Sequence, residues 1–186
     1  MMRTELILGG QKSGKSRRAE LQARDWLHAA PGRDAVLIAT GQAHDEEMRM
    51  RIARHQQDRA LRVPGLRTVE QPLQLAAAMA AHSAPGTLVV VDCLTLWLTN
   101  WLMPATGAPR VDEVAAAVDA LAAAVLAARG PLVLVGNEIG LGVIPMGREV
   151  RQFVDALGNL NQRIAACCDR VTLMAAGLPL VLKDCE

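Results

Sequence analysis

The chain has 186 residues, enough for one domain with a sizeable core, and its formal charge of +1 gives no support to nucleic acid or an anionic membrane as a partner. Its residues are 51% hydrophobic, with one Phe, three Trp and no Tyr, a composition that suits layered helix and sheet better than an aromatic-rich β-sandwich. The four cysteines, Cys93, Cys167, Cys168 and Cys185, lack C-x-x-C spacing with partner histidines, which argues against a zinc site.

Short apolar runs alternate with longer helical patterns. Leu6 to Leu8 reads as a buried strand and Lys15 to Ala29 as a helix that begins inside a glycine loop. Ala35 to Ala39 is a second strand. Asp45 to Arg59 is a helix that Asp45 caps, with Glu46 and Glu47 at its positive end. Leu66 to Val69 reads as a short strand, Pro72 to His82 as an Ala-rich helix, Leu88 to Val91 as a strongly apolar strand ending at Asp92, and Leu94 to Met103 as a helix. The exposed-looking Trp97 and Trp101 on that last helix suit either an interface or the core.

After a turn-rich stretch from Pro104 to Pro109 come a helix from Asp112 to Arg129, a strand from Leu132 to Val135 and a helix from Arg148 to Cys168. Val171 to Met174 and Leu180 to Leu182 close the sheet. Cys167 and Cys168 read as small core residues in a reducing compartment. Gly158 inside its helix suggests close packing. The expected fold is a single three-layer α/β domain over residues 1–186, of the P-loop, RecA-like kind, with a mainly parallel sheet flanked by helices.

The glycine loop is reached by residue 9, which leaves no room for a signal peptide, and no apolar run approaches the ~18 residues of a membrane span. A cytoplasmic protein is expected.

In such sheets ligands bind beyond the carboxyl ends of the strands. Polar clusters fall there: the loop at Gly9, Thr40-Gly41, Asp92, and Asn137-Glu138. The loop itself, Gly9-Gly10-Gln11-Lys12-Ser13-Gly14-Lys15-Ser16, matches G-x-x-x-x-G-K-[ST] at every fixed position. Its glycines let successive backbone N–H groups face phosphates, and the following helix directs its positive end at the same charge. Lys15 can reach the β and γ phosphates of a nucleoside triphosphate, and the Ser16 hydroxyl can bind Mg²⁺. Asp92 suits a second Mg²⁺ contact, direct or through water; the other reading is a cap for the helix that follows.

The helix around His55 is unusual. Met48, Ile52, His55 and Arg59 share one face, so His55 is expected to turn toward the protein, with Arg51 and Arg59 four residues to either side. Nearby cations would favour the neutral, nucleophilic imidazole and could hold phosphate oxygens. On its residues alone, however, His55 fits a solvated or packed side chain better than a nucleophile. His28, His44 and His82 have less still to recommend them.

Taken together, the segments carry a resemblance. Gly9-Gly10 with Ser13-Gly14-Lys15-Ser16, Ile38-Ala39-Thr40, Asp45 to Met48 with Arg51-Ile52-Ala53-Arg54-His55, Asp92 to Asn100, Asn137 to Pro145, and Gly158 to Arg163 run in order over nearly the whole chain. The chain resembles the bifunctional adenosylcobinamide kinase/adenosylcobinamide-phosphate guanylyltransferase family of cobalamin biosynthesis. That resemblance implies phosphorylation of the aminopropanol hydroxyl of adenosylcobinamide by ATP or GTP, then transfer of GMP from GTP to the new phosphate. His55 matches the histidine that carries GMP between the two. The resemblance also implies nucleotide contacts at Gly9 through Ser16, at Ala39, Thr40 and Gly41, at Gln56, Gln57, Asp58 and Arg59, and at Glu70 and Asp92. It implies a corrinoid substrate and a homo-oligomer, a trimer in the family.

One position departs from the pattern: Lys12 stands where the family usually has Arg, keeping the charge but losing the bidentate fork. The loop grips β and γ phosphates while His55 needs the α phosphorus, so the histidine helix is expected to move between steps. Two rivals rank below this reading. A plain small-molecule kinase would make His55 dispensable; a non-enzymatic nucleotide switch would bind GTP without cobinamide-dependent turnover, and a RecA-like motor acting on DNA would show a basic stripe, which the net charge of +1 does not support.

Overall fold

The computed structural model describes residues 4–43 and 45–185. His44 and the side chain of Arg51 lie outside the described residues. Strands and helices alternate: β1 (Thr4–Gly9), α1 (Lys15–Ala29), β2 (Asp34–Ala39), α2 (Glu46–Arg62), β3 (Arg67–Glu70), α3 (Leu75–His82), β4 (Thr87–Asp92), α4 (Leu94–Leu102), α5 (Val111–Leu126), β5 (Leu132–Val135), α6 (Arg148–Cys167), β6 (Arg170–Ala175) and β7 (Leu178–Asp184). One seven-stranded sheet has the order β3-β2-β4-β5-β1-β6-β7. All its pairings are parallel except that of β6 with β7.

The inner strands are apolar on both faces, and this is what makes three layers. Val36, Ile38, Val89, Val91, Leu132 and Leu134 pack with residues of α3 to α6 on one side. Ala35, Leu37, Leu88, Val90, Val133 and Val135 pack with Ala19 and Ala23 of α1 on the other. Each fully buried Leu, Ile or Val contributes about 1.5–3 kcal/mol relative to exposure. Trp97 and Trp101 belong to the first core, edge to face with ring centroids 6.3 Å apart. The Trp97 indole N–H donates to the Leu73 carbonyl at 2.9 Å. Both are core residues, so of the two alternatives the sequence left open, interface or core, the core is the one found, and the pair is not exposed as it looked.

The boundaries shift where side chains intervene. The helix expected from Pro72 starts at Leu75, because the Gln71 side chain accepts the N–H groups of Leu73 and Gln74 and holds that stretch as a turn. The two closing strands are longer than expected and form an antiparallel hairpin. Its turn, Ala176-Gly177, has φ of 52° and 79°, the left-handed pair that matches the twist of a tight hairpin. A Cβ on Gly158 would meet nothing within 4 Å, so the expected close packing there is absent. Among the described residues, no helix is long and apolar enough to cross a membrane.

Candidate active site

Because β1, β2, β4 and β5 are parallel neighbours in one sheet, their carboxyl ends share an edge, and the four polar clusters expected there do meet. The strand carrying the glycine loop and the strand carrying Asp92 are separated by β5, about 10 Å at the usual strand spacing. The loops after β1 and β5 are tied together: Glu138 N–H donates to the Gly9 carbonyl at 3.0 Å.

The loop from Gly9 to Gly14 is shaped to receive anions. Gly14 caps α1 with φ 101° and no side chain caps the helix, which leaves its first N–H groups without a protein acceptor of that kind. Lys12 takes a left-handed φ of 54°, a turn that gathers backbone amides into a concave nest. Gly9 has no room for a side chain: a Cβ would lie 2.5 Å from the Met174 carbonyl oxygen and 2.6 Å from Ser13 Oγ. On its far side the loop rests on the β6–β7 turn, where Gly177 N–H donates to the Ser13 carbonyl at 3.1 Å.

Two groups in the loop await a partner. Ser13 Oγ is buried with no hydrogen-bond partner. Lys15 Nζ is folded back onto the Gly10 carbonyl at 2.6 Å. Burial holds the Lys15 pKa below that of a free lysine, and negative charge at Cys93 or Asp92 acts against that shift. Cys93 is itself buried and its thiol is pushed up to about 11, so at neutral pH Asp92 supplies the counter-charge. A phosphate oxygen would satisfy both Ser13 and Lys15. Ser16 and Asp92 are few ligands for a cation, and no group of three or more His, Cys, Asp or Glu side chains suited to a metal occurs among the described residues. That donor set fits Mg²⁺, which is held by one or two protein oxygens plus substrate phosphates, and does not fit a protein-only metal cage.

The floor of the edge is set by hydrogen bonds among polar side chains that the sequence reading did not pair with one another. Thr40 is fully buried. Its hydroxyl donates to the Cys93 carbonyl at 2.6 Å and accepts from Cys93 N–H at 3.0 Å. Asn100 donates to the carbonyls of Thr40 and Pro72 at 2.8 and 3.0 Å. Thr95 Oγ1 accepts Asn137 N–H, and Asn161 donates to the Asn137 carbonyl. These bonds cross 24 to 60 positions of sequence, so no local pattern announces them.

The histidine helix departs from expectation. Asp45 caps α2 as expected, accepting Met48 N–H at 2.7 Å. His55, however, is exposed and does not turn toward the protein. Among the described side chains of α2 only that of Arg59 is buried. Arg59 does not face a phosphate site: its Nε lies 3.5 Å from a Glu20 carboxylate oxygen on α1, an ion pair, and its Nη1 donates to Thr68 Oγ1 at 3.0 Å. Arg62 bonds the other Glu20 oxygen. Arg59 is therefore an anchor, and its charge is already balanced. His55 lies about 15 Å along the axis beyond Asp45, and β2 stands three ladder steps from β1, about 14 Å. Among the described residues no hydrogen bond or ion pair joins His55 to the glycine loop. Gln56, Gln57 and Asp58 are exposed beside it, and Glu70 is exposed at the end of β3.

The sequence model of the cobinamide kinase / cobinamide phosphate guanyltransferase family matches residues 5–182. The chain belongs to this family. It is 46% identical to the bifunctional adenosylcobalamin biosynthesis protein CobP of Pseudomonas aeruginosa, over 96% of each chain. It is 36% and 34% identical to the proteins named CobU of Salmonella typhimurium and Escherichia coli, over 96% of this chain and 98% of theirs. In fold it is similar to a solved ATPase domain, with a TM-score of 0.57 at 12% identity, covering 99% of this chain and 78% of that one. The three-layer P-loop architecture expected from the sequence is thus the architecture found.

The cysteines give a direct check on the packing at this edge. Cys93 and Cys168 are buried, with thiols pushed up to about 11 and about 12 by that burial, whereas Cys185 is exposed. A disulfide reagent at mildly alkaline pH is expected to titrate Cys185 at once in the native protein. Cys93 and Cys168 should react only as the chain unfolds. Rapid native modification of Cys93 would contradict the closed Thr40–Cys93 contact.

Proposed function

We propose that this one site performs both transfers on a corrinoid substrate, with His55 as the covalent carrier of GMP. The observation that carries the reading is the convergence at one edge of the anion-receiving loop, Asp92 and the start of the helix that bears His55. In the kinase step, Lys15 and the loop amides neutralise charge developing on the phosphoryl group as it passes from ATP or GTP to the aminopropanol hydroxyl. Ser16 and Asp92 would hold Mg²⁺, which supplies further neutralisation of the phosphates. In the second step, His55 attacks the α phosphorus of GTP and pyrophosphate leaves. The cobinamide phosphate oxygen then attacks the GMP-histidine, the P–N bond breaks, and adenosylcobinamide-GDP is formed.

In this reading α2 approaches the loop for the second step, because the loop grips the β and γ phosphates while His55 needs the α phosphorus. Support for that movement comes from its packing: only one of its described side chains is buried, so α2 has little apolar contact to lose. The contacts of Ala39, Thr40 and Gly41, of Gln56 to Arg59 and of Glu70 with guanine nucleotide are part of this proposal. Arg59 can reach a nucleotide only by leaving Glu20. The homo-oligomer implied by the family also has a fitting surface, the apolar edge strand β7, where Leu178, Leu180, Val181 and Leu182 are exposed.

The test is incubation with [α-³²P]GTP and Mg²⁺, followed by a denaturing gel. The wild-type chain is expected to carry label that is acid-labile and alkali-stable, and a His55→Ala variant to carry none while still binding GTP. Equal labelling of the variant would remove His55 from the mechanism, and an unlabelled wild type would leave a plain kinase.

A further inference from the structure

We infer that the loop from Ile139 to Met146 is the docking surface for the corrin ring, an assignment that rests on the chain acting on a corrinoid. Its side chains are the most exposed large apolar ones of the catalytic edge: Leu141 is 82% exposed, Val143 97%, Ile144 77% and Met146 96%. Large apolar side chains left exposed together on one loop point to a binding surface.

The loop's backbone is held while its side chains are offered outward. At its start, Glu138 Oε1 accepts Gly140 N–H at 2.6 Å. At its end, Arg151 Nη1 donates to the carbonyls of Pro145 and Met146. Gly140 and Gly142 carry no side chains between these anchors, so a flat ligand can approach the backbone there. The backbone of the loop is thus fixed at both ends while its aliphatic side chains stay exposed.

Its position decides the occupant. The loop leaves β5 beside the nucleotide loop, with Glu138 N–H on the Gly9 carbonyl, so anything seated on it lies next to the phosphates. The corrin substrate combines a broad macrocycle with a flexible arm ending in the hydroxyl to be phosphorylated. Seating the macrocycle on Leu141, Val143, Ile144 and Met146 would let that arm reach toward Lys15 and Ser16. A second copy of the chain has a better surface in β7, whose edge offers unpaired ladder groups as well as apolar side chains.

The experiment compares the full-length wild type with a Val143→Asp/Ile144→Asp variant. It uses cobinamide itself as probe, with bound corrinoid read by its visible absorption after ultrafiltration. Sedimentation mass and labelling by [α-³²P]GTP without corrinoid are measured in parallel. The expected result is a rise in corrinoid Kd of about tenfold or more, from loss of two aliphatic contacts and charge placed against the ring, with label and mass unchanged. An unchanged Kd overturns the assignment, and so does a rise accompanied by a change of mass, which would make the loop a subunit contact. Should the aspartates prevent folding, Val143→Ala/Ile144→Ala decides on the same criteria with a smaller expected rise. If the wild type takes no label, the covalent step fails separately and the Kd comparison still stands.

Discussion

A Lys15→Met variant is expected to lose both transfers, each by about 10³-fold, while melting at or slightly above the wild-type temperature. The loss follows from one ammonium serving both reactions. Kinase turnover needs Nζ beside the transferred phosphoryl, and guanylylation needs it to hold the β and γ phosphates that leave as pyrophosphate. Removing a single preorganised donor from such a site costs about 10²–10³ in rate, and a full positive charge belongs at the upper end. The stability forecast follows from the electrostatics. Lys15 is buried, and that burial already depresses its pKa, so its charge is held in the free protein at a cost. Its hydrogen bond to the Gly10 carbonyl offsets only part of that desolvation. Paired kinase and self-labelling rates with a thermal melt would check this. A variant active to within tenfold would show that the loop binds phosphate chiefly through its amides.

The second large effect is on stability. Glu20 is 2% exposed and receives both Arg59 and Arg62 from α2. Truncating Glu20 to Ala leaves Arg59, itself buried, without a counter-charge, and breaking a buried pair from one side costs about 3–5 kcal/mol. For a domain of this size that lowers the Tm by about 10 °C. The Glu20→Ala/Arg59→Ala double variant should be less destabilised than the sum of the singles, because removing both charges avoids the orphan. Additive losses in the cycle would show that the two side chains stabilise independently.

The residues differ in how plainly they declared themselves. The glycine loop, the capping Asp45 and the polar strand ends were legible because each rests on a local rule: fixed spacing, a side chain three residues from an amide, an apolar run ending in a carboxylate. The orientation of His55 was not. Its helix has few apolar residues, and the period that grouped Met48, Ile52, His55 and Arg59 cannot say how far that face turns into the fold. The decisive contact is Glu20, which lies 42 positions from Arg62 and is invisible to any window. The antiparallel hairpin did leave a signal, the Ala176-Gly177 step between two apolar runs. The Trp pair did not, since burial of an aromatic depends on the helices laid over it.

The place of β1 in the sheet has a consequence for how the molecule is made. This strand pairs only with Leu132–Val135 and with Arg170–Met174. The β6–β7 turn that supports the loop comes later still. During synthesis the residues that grip phosphate emerge well before either of their strand partners. They wait, unpaired, until α1 to α5 and the strands between them have left the ribosome. The site is completed by the last long-range closures, in the slow and non-local order that parallel sheets impose.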